Sequence, residues 1–212
     1  MKRQDLPRAQ MNSWKQAQVW ESKWWEKCQN TLSEELKQIV YAGRMGLIRS
    51  PNEKTPYRFD MEGKSVLDIG GGPTSLLLRC VNVKGKVIDP ITFPPWVYQR
   101  YEAAGIRYSI QKAENLDGKE KFDECWIYNV LQHTEDPAIV IKNARAVVGL
   151  IRIFEWINMR PCPGHLQILT REKLDEWLNG EGKVEGKIEG IAEVDCIGKA
   201  YYGIFPTGLR KE

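Results

Sequence analysis

Residues 65–75 read Ser-Val-Leu-Asp-Ile-Gly-Gly-Gly-Pro-Thr-Ser, and this segment carries the strongest indication of the fold. The apolar run 66–69 predicts a buried parallel strand, and the leucines at 76–78 predict the start of a helix. Between them lie Gly70, Gly71 and Gly72. Glycines between a strand and a helix let the backbone approach a nucleotide closely, because glycine adopts positive φ angles and has no Cβ. We therefore predict that this turn contacts a bound ligand.

Two carboxylates narrow the choice of ligand. Asp89 ends the next predicted strand, about 20 residues beyond Asp68, where a carboxylate can accept both hydroxyls of a ribose. Asp68 itself lies two residues before the first glycine, where it would repel a pyrophosphate. It would instead favour positive charge, such as the ammonium and sulfonium groups of S-adenosylmethionine. The segment therefore predicts an adenosine-containing ligand without phosphate.

The motif Asp-Ile-Gly-Gly-Gly at 68–72 resembles the first motif of the class I S-adenosylmethionine-dependent methyltransferases. The resemblance covers roughly residues 60–205 and is nearest to small-molecule enzymes of the ubiquinone-biosynthesis type. It implies S-adenosylmethionine as cofactor, S-adenosylhomocysteine as product, and methyl transfer to an oxygen or nitrogen of a small-molecule acceptor. Its further segments are Val-Ile-Asp-Pro at 87–90, Ala-Glu-Asn-Leu at 113–116, 122–137 and 164–174.

The order of predicted elements indicates the fold class. A series of alternating strands and helices is followed by two late strands. The first is interrupted by glycines at 182–190 and extends over 192–196, and the last lies at 201–205. This order fits an α/β fold with a Rossmann-like, seven-stranded, mostly parallel sheet, helices on both faces and an antiparallel final strand. The alternating elements before them are strands at 85–89, 105–110, 122–128 and 149–157, and helices at 97–104, 137–146 and 170–178.

The resemblance also implies cofactor contacts beyond the glycine turn. It adds Pro90, Ala113 and Glu114 to the predicted cofactor site. Asn129 follows the fourth predicted strand, and ligands bind at the carboxyl ends of such strands, so it is expected to face the sulfonium. In the family an aspartate often precedes Ala113, and here that position is Lys112. Glu114 and a backbone carbonyl therefore remain alternatives for the partner of the adenine amino group.

The predicted chemistry needs few protein groups. Methyl transfer from a sulfonium is an in-line displacement with a neutral leaving group, so the enzyme mainly supplies positioning and desolvation. A base is needed only for a protonated acceptor, and the chain has two histidines. His133 follows Asn129 by four residues, where related enzymes carry histidine, and His165 lies on the opposite rim; both are candidate catalytic residues. The alternative for His133 is simple packing of the loop at a helix start. No metal-ligand spacing is present, so no metal is predicted.

The N-terminal quarter lies outside the resemblance. Half of the eight tryptophans occur in 14–25 at helical spacing, and Thr-Leu-Ser-Glu at 31–34 predicts a capping box that opens a second helix ending near Gly46. Such an aromatic stripe indicates core packing or a lid over the cofactor, and both interpretations stay open. We therefore expect an N-terminal helical cap at 1–58, a loop at 50–56 near its end, and the S-adenosylmethionine-binding methyltransferase domain at 59–212.

Composition limits the partners and the compartment. The chain is 42% hydrophobic and 28% charged, which is ordinary for a globular protein, and its net charge of +3 does not by itself argue for nucleic acid. No apolar run approaches membrane-spanning length. Five scattered cysteines and a polar start without a signal-peptide pattern lead us to expect reduced thiols and a cytoplasmic protein. A nucleic-acid-modifying methyltransferase and a non-catalytic S-adenosylmethionine-binding protein are the alternative functions, and the oligomeric state is left open.

Overall fold

The computed structural model describes residues 14–26, 28–48, 58–159, 164–186 and 198–209. The predicted linker at 50–56 and the strand extension at 192–196 lie outside these residues. The helices are α1 (Trp14–Trp25), α2 (Cys28–Arg44), α3 (Pro95–Ala103), α4 (Pro137–Val147) and α5 (Arg171–Leu178). The strands are β1 (Phe59–Asp60), β2 (Ser65–Ile69), β3 (Cys80–Val81), β4 (Lys84–Asp89), β5 (Arg107–Ile110), β6 (Phe122–Tyr128), β7 (Val148–Ile157), β8 (Lys183–Glu185) and β9 (Lys199–Pro206).

Seven strands form one sheet in the order β5-β4-β2-β6-β7-β9-β8, and β1 pairs separately with β3. The pairs among β5, β4, β2, β6 and β7 are parallel, and β9 runs antiparallel to both β7 and β8. The predicted seven-stranded, mostly parallel sheet with an antiparallel final strand is therefore confirmed. Because β2, β4 and β6 are parallel neighbours, their carboxyl ends meet at one edge, where open α/β sheets bind ligands.

Helices cover both faces of the sheet, as predicted. On one face α2 packs over β7, where the ring of Tyr41 stacks on Phe154 with centroids 4.1 Å apart, and α3 packs over β5, where Tyr101 meets Tyr108. On the other face α4 and α5 contribute Val140 and Leu174 to a second apolar cluster with β7 and β9. Each helix buries an apolar stripe against the sheet, which is the main source of its stability in water.

The helix predicted directly after the glycine turn is not present. Leu76–Arg79 form a single 3₁₀ turn in which Ser75 Oγ accepts from the N–H of Leu77, and the chain then enters β3. Asn82 adopts a positive φ of 53° and turns the chain back into β4. The β-branched residues that surround this turn favour extended backbone over helix. The helix α2 packs beside it instead, and Gln38 Nε2 donates a 3.1 Å hydrogen bond to Thr74 Oγ1.

The predicted capping box is also wrong, because α2 begins at Cys28 and places Thr31 inside the helix. Asn30 Nδ2 donates to the carbonyl oxygen of Trp24 at 2.7 Å and so satisfies the end of α1, which lets α2 start one turn earlier. Glu34 pairs with Lys37 at 2.6 Å instead of turning back to the helix start. The predicted end near Gly46, which has a φ of 72°, agrees with α2 ending at Arg44.

Within the described ranges, every helix falls short of the combination of length and apolar character that crossing a membrane demands.

Candidate functional site

A cavity opens at the carboxyl edge of β2, β4, β5 and β6 and is covered by α1. The space between atoms there amounts to about 850 Å³, with open solvent at its mouth included. Its lining joins sheet-edge residues to side chains from α1. The lining residues are Trp14, Gln18, Trp20, Glu21, Trp24, Trp25, Glu34, Ile69, Gly70, Gly72, Ile88, Asp89, Pro90, Ile91, Gln111, Lys112, Ala113, Glu114, Asn129, Val130, His133, Thr134 and His165.

Most of the predicted site residues therefore lie around one space. The cavity brings together nine of the eleven predicted residues, from the ends of five different strands and the loops that follow them. The two that do not line it are Asp68 and Gly71. The nine that do are Gly70, Gly72, Asp89, Pro90, Ala113, Glu114, Asn129, His133 and His165.

Two tyrosine hydroxyls hold the glycine turn in place. Tyr101 donates to the carbonyl oxygen of Gly72 at 2.7 Å and accepts from the N–H of Ser75 at 3.0 Å. Tyr128 donates to Asp68 Oδ2 at 2.6 Å and accepts from the N–H of Leu76 at 3.0 Å. Each hydroxyl thus uses both its donor and an acceptor lone pair. The turn is fixed by α3 and β6 before any ligand binds.

Asp68 lies beneath the turn and not in the cavity, which corrects the predicted direct contact with the ligand. Its carboxylate is fully buried and accepts hydrogen bonds from Ser75 Oγ and from the hydroxyl of Tyr128. A Cβ added at Gly71 would lie 2.8 Å from Asp68 Oδ2, so the glycine leaves room for this carboxylate and not for a ligand. Burial raises the pKa of Asp68 to about 7. Its role is to anchor the turn from below.

Asp89 lines the cavity from the end of β4, where the sequence predicts the ribose acceptor. Its Oδ2 accepts from the N–H of Gly72 at 3.1 Å and its Oδ1 accepts from the N–H of Ile91 at 2.9 Å. These bonds fix the carboxylate and leave its remaining lone pairs for a ligand. Burial raises the pKa of Asp89 to about 7, against the lowering effect of the two N–H donors.

The end of β5 carries the unexpected Lys112. Its Nζ forms an ion pair with Glu135 at 3.0 Å and lies 3.7 Å from the ring centroid of Trp14, a cation–π contact from α1. Glu114 Oε1 accepts from the backbone N–H of Glu135 at 2.9 Å and from that of Asp136 at 3.3 Å. Lys112 thus connects the covering helix to the sheet edge, and one carboxylate oxygen of Glu114 is already hydrogen-bonded to the loop at 135–136.

The opposite end of the cavity brings the two histidines together. The rings of His133 and His165 meet edge to face with centroids 4.6 Å apart, and both line the cavity. Asn129 adopts a positive φ of 54°, and its Oδ1 accepts from Gln132 Nε2 at 2.9 Å. The carbonyl oxygen of Gln132 accepts from the N–H of Leu166 at 2.8 Å and docks the loop that carries His165. The sequence predicts His133 and His165 as two separate candidates on opposite rims, and the structure shows that their rings are in contact.

A buried carboxylate supports this turn from β7. Glu155 Oε1 accepts from the N–H groups of Val130 and Leu131, both at 3.0 Å. The side chain is fully buried, and burial raises its pKa to about 8. Its Oε2 has no hydrogen-bond partner among the described residues. The turn between β6 and α4 therefore rests on a carboxyl group whose burial favours the protonated form.

The covering helix contributes two polar candidates that sequence reasoning missed, Gln18 and Glu21, beside the tryptophans for which a lid was one of the two interpretations. Trp14, Gln18, Glu21 and Trp25 follow one another at steps of four, three and four residues, so they share one face of α1, and all line the cavity. Gln18 Oε1 is buried and without a hydrogen-bond partner in the described structure. The signal was present in the sequence as two polar residues that interrupt an aromatic stripe at helical spacing.

Among the described residues, no group of three or more His, Cys, Asp or Glu side chains is placed to hold a metal ion. An adenosine-type cofactor, by contrast, fits what is present. Gly70 and Gly72 have positive φ angles and leave backbone exposed to the cavity, Asp89 offers carboxylate lone pairs, and Gln18 offers an unpaired oxygen. The carboxylate suits the hydroxyls of a ribose, the unpaired amide oxygen suits the amino group of an adenine, and the glycine backbone lets the cofactor approach closely.

Comparison with known proteins agrees with this geometry. No family model matches the chain. A tRNA U34 carboxymethyltransferase of Campylobacter hominis is 32% identical over 96 residues, which are 41% of this chain and 33% of that protein. The match thus spans about a third of the length of this curated relative.

Solved structures match over most of the chain. A possible histamine N-methyltransferase of Thermotoga maritima, described as S-adenosylmethionine-dependent, has a TM-score of 0.60 at 12% identity and covers 92% of this chain and 99% of its own. The 1,6-didemethyltoxoflavin-N1-methyltransferase of Burkholderia thailandensis, with its substrate and S-adenosylhomocysteine bound, has a TM-score of 0.58 at 14% identity and covers 90% and 86%. The chain has the Rossmann-like fold of the S-adenosylmethionine-dependent methyltransferases.

Proposed function

We propose that the protein is an S-adenosylmethionine-dependent methyltransferase that acts on an oxygen or nitrogen of a small-molecule acceptor. The observation that carries the proposal is the single cavity in which the glycine turn, Asp89 and the two histidines face one another. The curated match and the two structural neighbours support an S-adenosylmethionine-dependent methyltransferase with this cofactor. A relationship to the ubiquinone-type branch and a cytoplasmic location remain part of the proposal.

The cofactor would lie along the sheet edge. Asp89 would accept the ribose hydroxyls, Gly70, Gly72 and Pro90 would contact the ligand through backbone and ring, and Ala113 would flank the adenine. When bound, the cofactor supplies the electrophilic methyl carbon on its sulfonium. The residues of the chain bind and orient it, and α1 with its tryptophans excludes water from the reaction.

The acceptor would enter between α1 and the turn that carries Asn129 and His133. His133 would take the proton of a hydroxyl or protonated amine, and His165 would pack against its ring. A positioned acid–base group of this kind contributes roughly 10²–10⁴-fold to the rate.

A nucleic-acid substrate is the second candidate, and the tRNA-modifying relative favours it. The lining of the cavity argues for a small acceptor. Its carboxylates include Glu21, Glu34, Asp89 and Glu114, and among its described residues Lys112, already paired with Glu135, is the only lysine or arginine. A polyanionic backbone calls for several cations near the site. Transfer of a radiolabelled methyl group to bulk tRNA, and not to small amines and phenols, would favour the nucleic-acid alternative.

The cofactor assignment is tested by calorimetry with Asp89→Asn. We expect S-adenosylhomocysteine to bind the wild type, and the variant to lose roughly 1.5–3 kcal/mol, about 10- to 150-fold in affinity, because a charged acceptor of two hydroxyls is removed. Asp117→Asn, an exposed carboxylate outside the lining, is the matched control and should bind as the wild type does. Binding of NADH in preference to S-adenosylhomocysteine would contradict the proposal. Binding without any methyl transfer would instead favour the non-catalytic alternative.

A further inference from the structure

Glu21 is a buried carboxylate on the covering helix that faces the acceptor side of the cavity. Its side chain extends from α1, a helix outside the sheet, and Glu21 is 9% exposed. Glu21 Oε1 lies 3.3 Å from His133 Nδ1. A carboxylate is costly to bury unless it meets a hydrogen-bond donor or a cation. The imidazole of His133 supplies such a donor.

The neighbours of His133 fix which of its nitrogens carries the hydrogen. Nδ1 lies 2.8 Å from the carbonyl oxygen of Gly164, and a carbonyl oxygen can only accept. Nδ1 therefore carries the hydrogen and shares it between Gly164 and Glu21. On the other side of the ring, Gln132 Nε2, an amide donor, lies 3.3 Å from His133 Nε2. The lone pair of the neutral ring is thus on Nε2, the nitrogen that can take a proton.

The loop opposite α1 is shaped to admit this carboxylate. Gly164 has a φ of 86°, and a Cβ added there would lie 2.5 Å from Glu21 Oε1 and 3.0 Å from the ring of Trp20. Any other residue would displace the Glu21 carboxylate from its place beside the histidine and would strain the backbone at this φ. The absence of a side chain at Gly164 is a second, independent feature that lets α1 approach His133.

We propose that Glu21 positions His133 and stabilises its protonated form, so that the covering helix completes the acid–base group on the acceptor side. The inference rests on the proposed methyl transfer. In that reaction an acceptor lone pair forms the new bond to the methyl carbon, and the carbon–sulfur bond breaks to leave a neutral thioether. The acceptor proton passes to His133 Nε2. The resulting imidazolium then faces Glu21 through the same Nδ1–H, so that the hydrogen bond from a neutral ring becomes an ion pair between imidazolium and carboxylate.

Two further titratable groups of the described residues lie near His133. His165 from the rim loop meets its ring edge to face. Glu155 from β7 lies beneath the turn and bonds its backbone, and burial keeps the pKa of Glu155 at about 8. The side of α4 that packs toward the sheet is apolar. Glu21 is therefore the carboxylate positioned to raise the pKa of His133.

The direct test uses the fact that the chain has only two histidines. The imidazole C–H resonances are followed by NMR against pH, and His133→Ala and His165→Ala assign them. Glu21→Gln should lower the pKa of His133 by about 1 unit, because an opposite charge within hydrogen-bond distance is lost. Glu26→Gln, an exposed change just beyond α1, is the control and should leave the titration unchanged. An unchanged titration in folded Glu21→Gln would overturn the inference. If that variant does not fold, Glu21→Asp, which keeps the charge on a shorter side chain, should keep the pKa of His133 above its value in denaturant.

The kinetic test separates this inference from the proposed function. With an acceptor in hand, Glu21→Gln should lower kcat about 10-fold or more, move the acidic limb of the kcat profile to lower pH, and leave the affinity for S-adenosylhomocysteine unchanged; Glu21→Asp should recover part of kcat. If the wild type transfers methyl groups and Glu21→Gln keeps its kcat and pH profile, the inference fails and the function stands. If the wild type neither binds S-adenosylhomocysteine nor transfers methyl groups, the proposed function fails, and with it the role of Glu21 in transfer.

Discussion

Gly70 is constrained both by its backbone conformation and by a neighbouring side chain. Its φ is 70°, and a Cβ added there would lie 2.1 Å from Val130 Cγ2. Gly105 offers a matched control, because its φ is 68° and nothing lies within 4 Å of an added Cβ. We expect Gly70→Ala to lower the free energy of unfolding by roughly 1–3 kcal/mol more than Gly105→Ala, since both share the backbone strain and only the first adds a clash. Urea denaturation measures the difference.

A double variant tests whether Val130 is the cause. Val130→Ala removes the methyl group that an alanine at position 70 would meet. In that background Gly70→Ala should cost less than it does in the wild type, a coupling of roughly 0.5–2 kcal/mol between contacting residues. Strictly additive costs would show that backbone strain alone explains the glycine.

The two aspartates show how far single residues could be read from the sequence. Asp89 ends a strand, and this position is local information that is enough to place its side chain at the sheet edge, where it lines the cavity. Asp68 lies inside β2, where side chains alternate between faces, and its direction depends on Tyr128 and Ser75 from other segments. The pattern Asp-x-Gly identifies the turn but cannot say that the carboxylate points beneath it.

At the level of elements, those with a local signal were predicted well. The bounds of β6 agree with the prediction, and α5 begins after its N-cap Thr170 as expected, because a short apolar run and a helix cap are properties of neighbouring residues. The missing helix after the glycine turn and the early start of α2 were not predicted. Both depend on contacts between distant segments, such as Gln38 with Thr74, which no local pattern reveals.

The helix α1 provides a prediction about the adenine end of the cavity. Gln18 lies one turn after Trp14, and the ring of Trp14 contacts the Lys112 ammonium group. The buried Oε1 of Gln18 lacks a hydrogen-bond partner in the described structure. We expect this oxygen to accept the adenine amino group, the role that Lys112 cannot fill. Gln18→Leu should therefore weaken S-adenosylhomocysteine binding about 3- to 12-fold, the value of one hydrogen bond. Calorimetry measures the loss, and the exposed Gln16→Leu is the control.

For Gln18→Leu we also expect an effect on stability that differs from the effect on affinity. In the ligand-free protein, replacing an unpaired buried amide by leucine should leave the free energy of unfolding unchanged or raise it. The effect on affinity should disappear with S-inosylhomocysteine, which carries an oxygen in place of the amino group. An equal loss of affinity for both ligands would assign Gln18 a packing role only.

On the scale of the whole molecule, three buried carboxyl groups lie beneath or beside the cavity edge. Burial raises the pKa of Asp68 and of Asp89 to about 7 and that of Glu155 to about 8. In the unfolded chain such groups have pKa values near 4. Between about pH 4 and pH 8 the folded protein therefore binds more protons than the unfolded chain does. Stability from these groups is fully present at low pH and is lost as the pH rises through their folded-state values.

The ligand-free protein should consequently lose stability between pH 5.5 and pH 8.5, and Glu155→Gln should reduce that loss. Glutamine keeps the oxygen that accepts from the N–H groups of Val130 and Leu131, and it cannot ionise in its buried position. We expect the difference in free energy of unfolding between Glu155→Gln and the wild type to move in favour of the variant by roughly 1–3 kcal/mol from pH 5.5 to pH 8.5. Urea denaturation at both pH values measures this. The exposed Glu102→Gln should keep the wild-type slope. Parallel slopes for the wild type and Glu155→Gln would mean that Glu155 is already ionised in the folded protein, held by its two N–H donors.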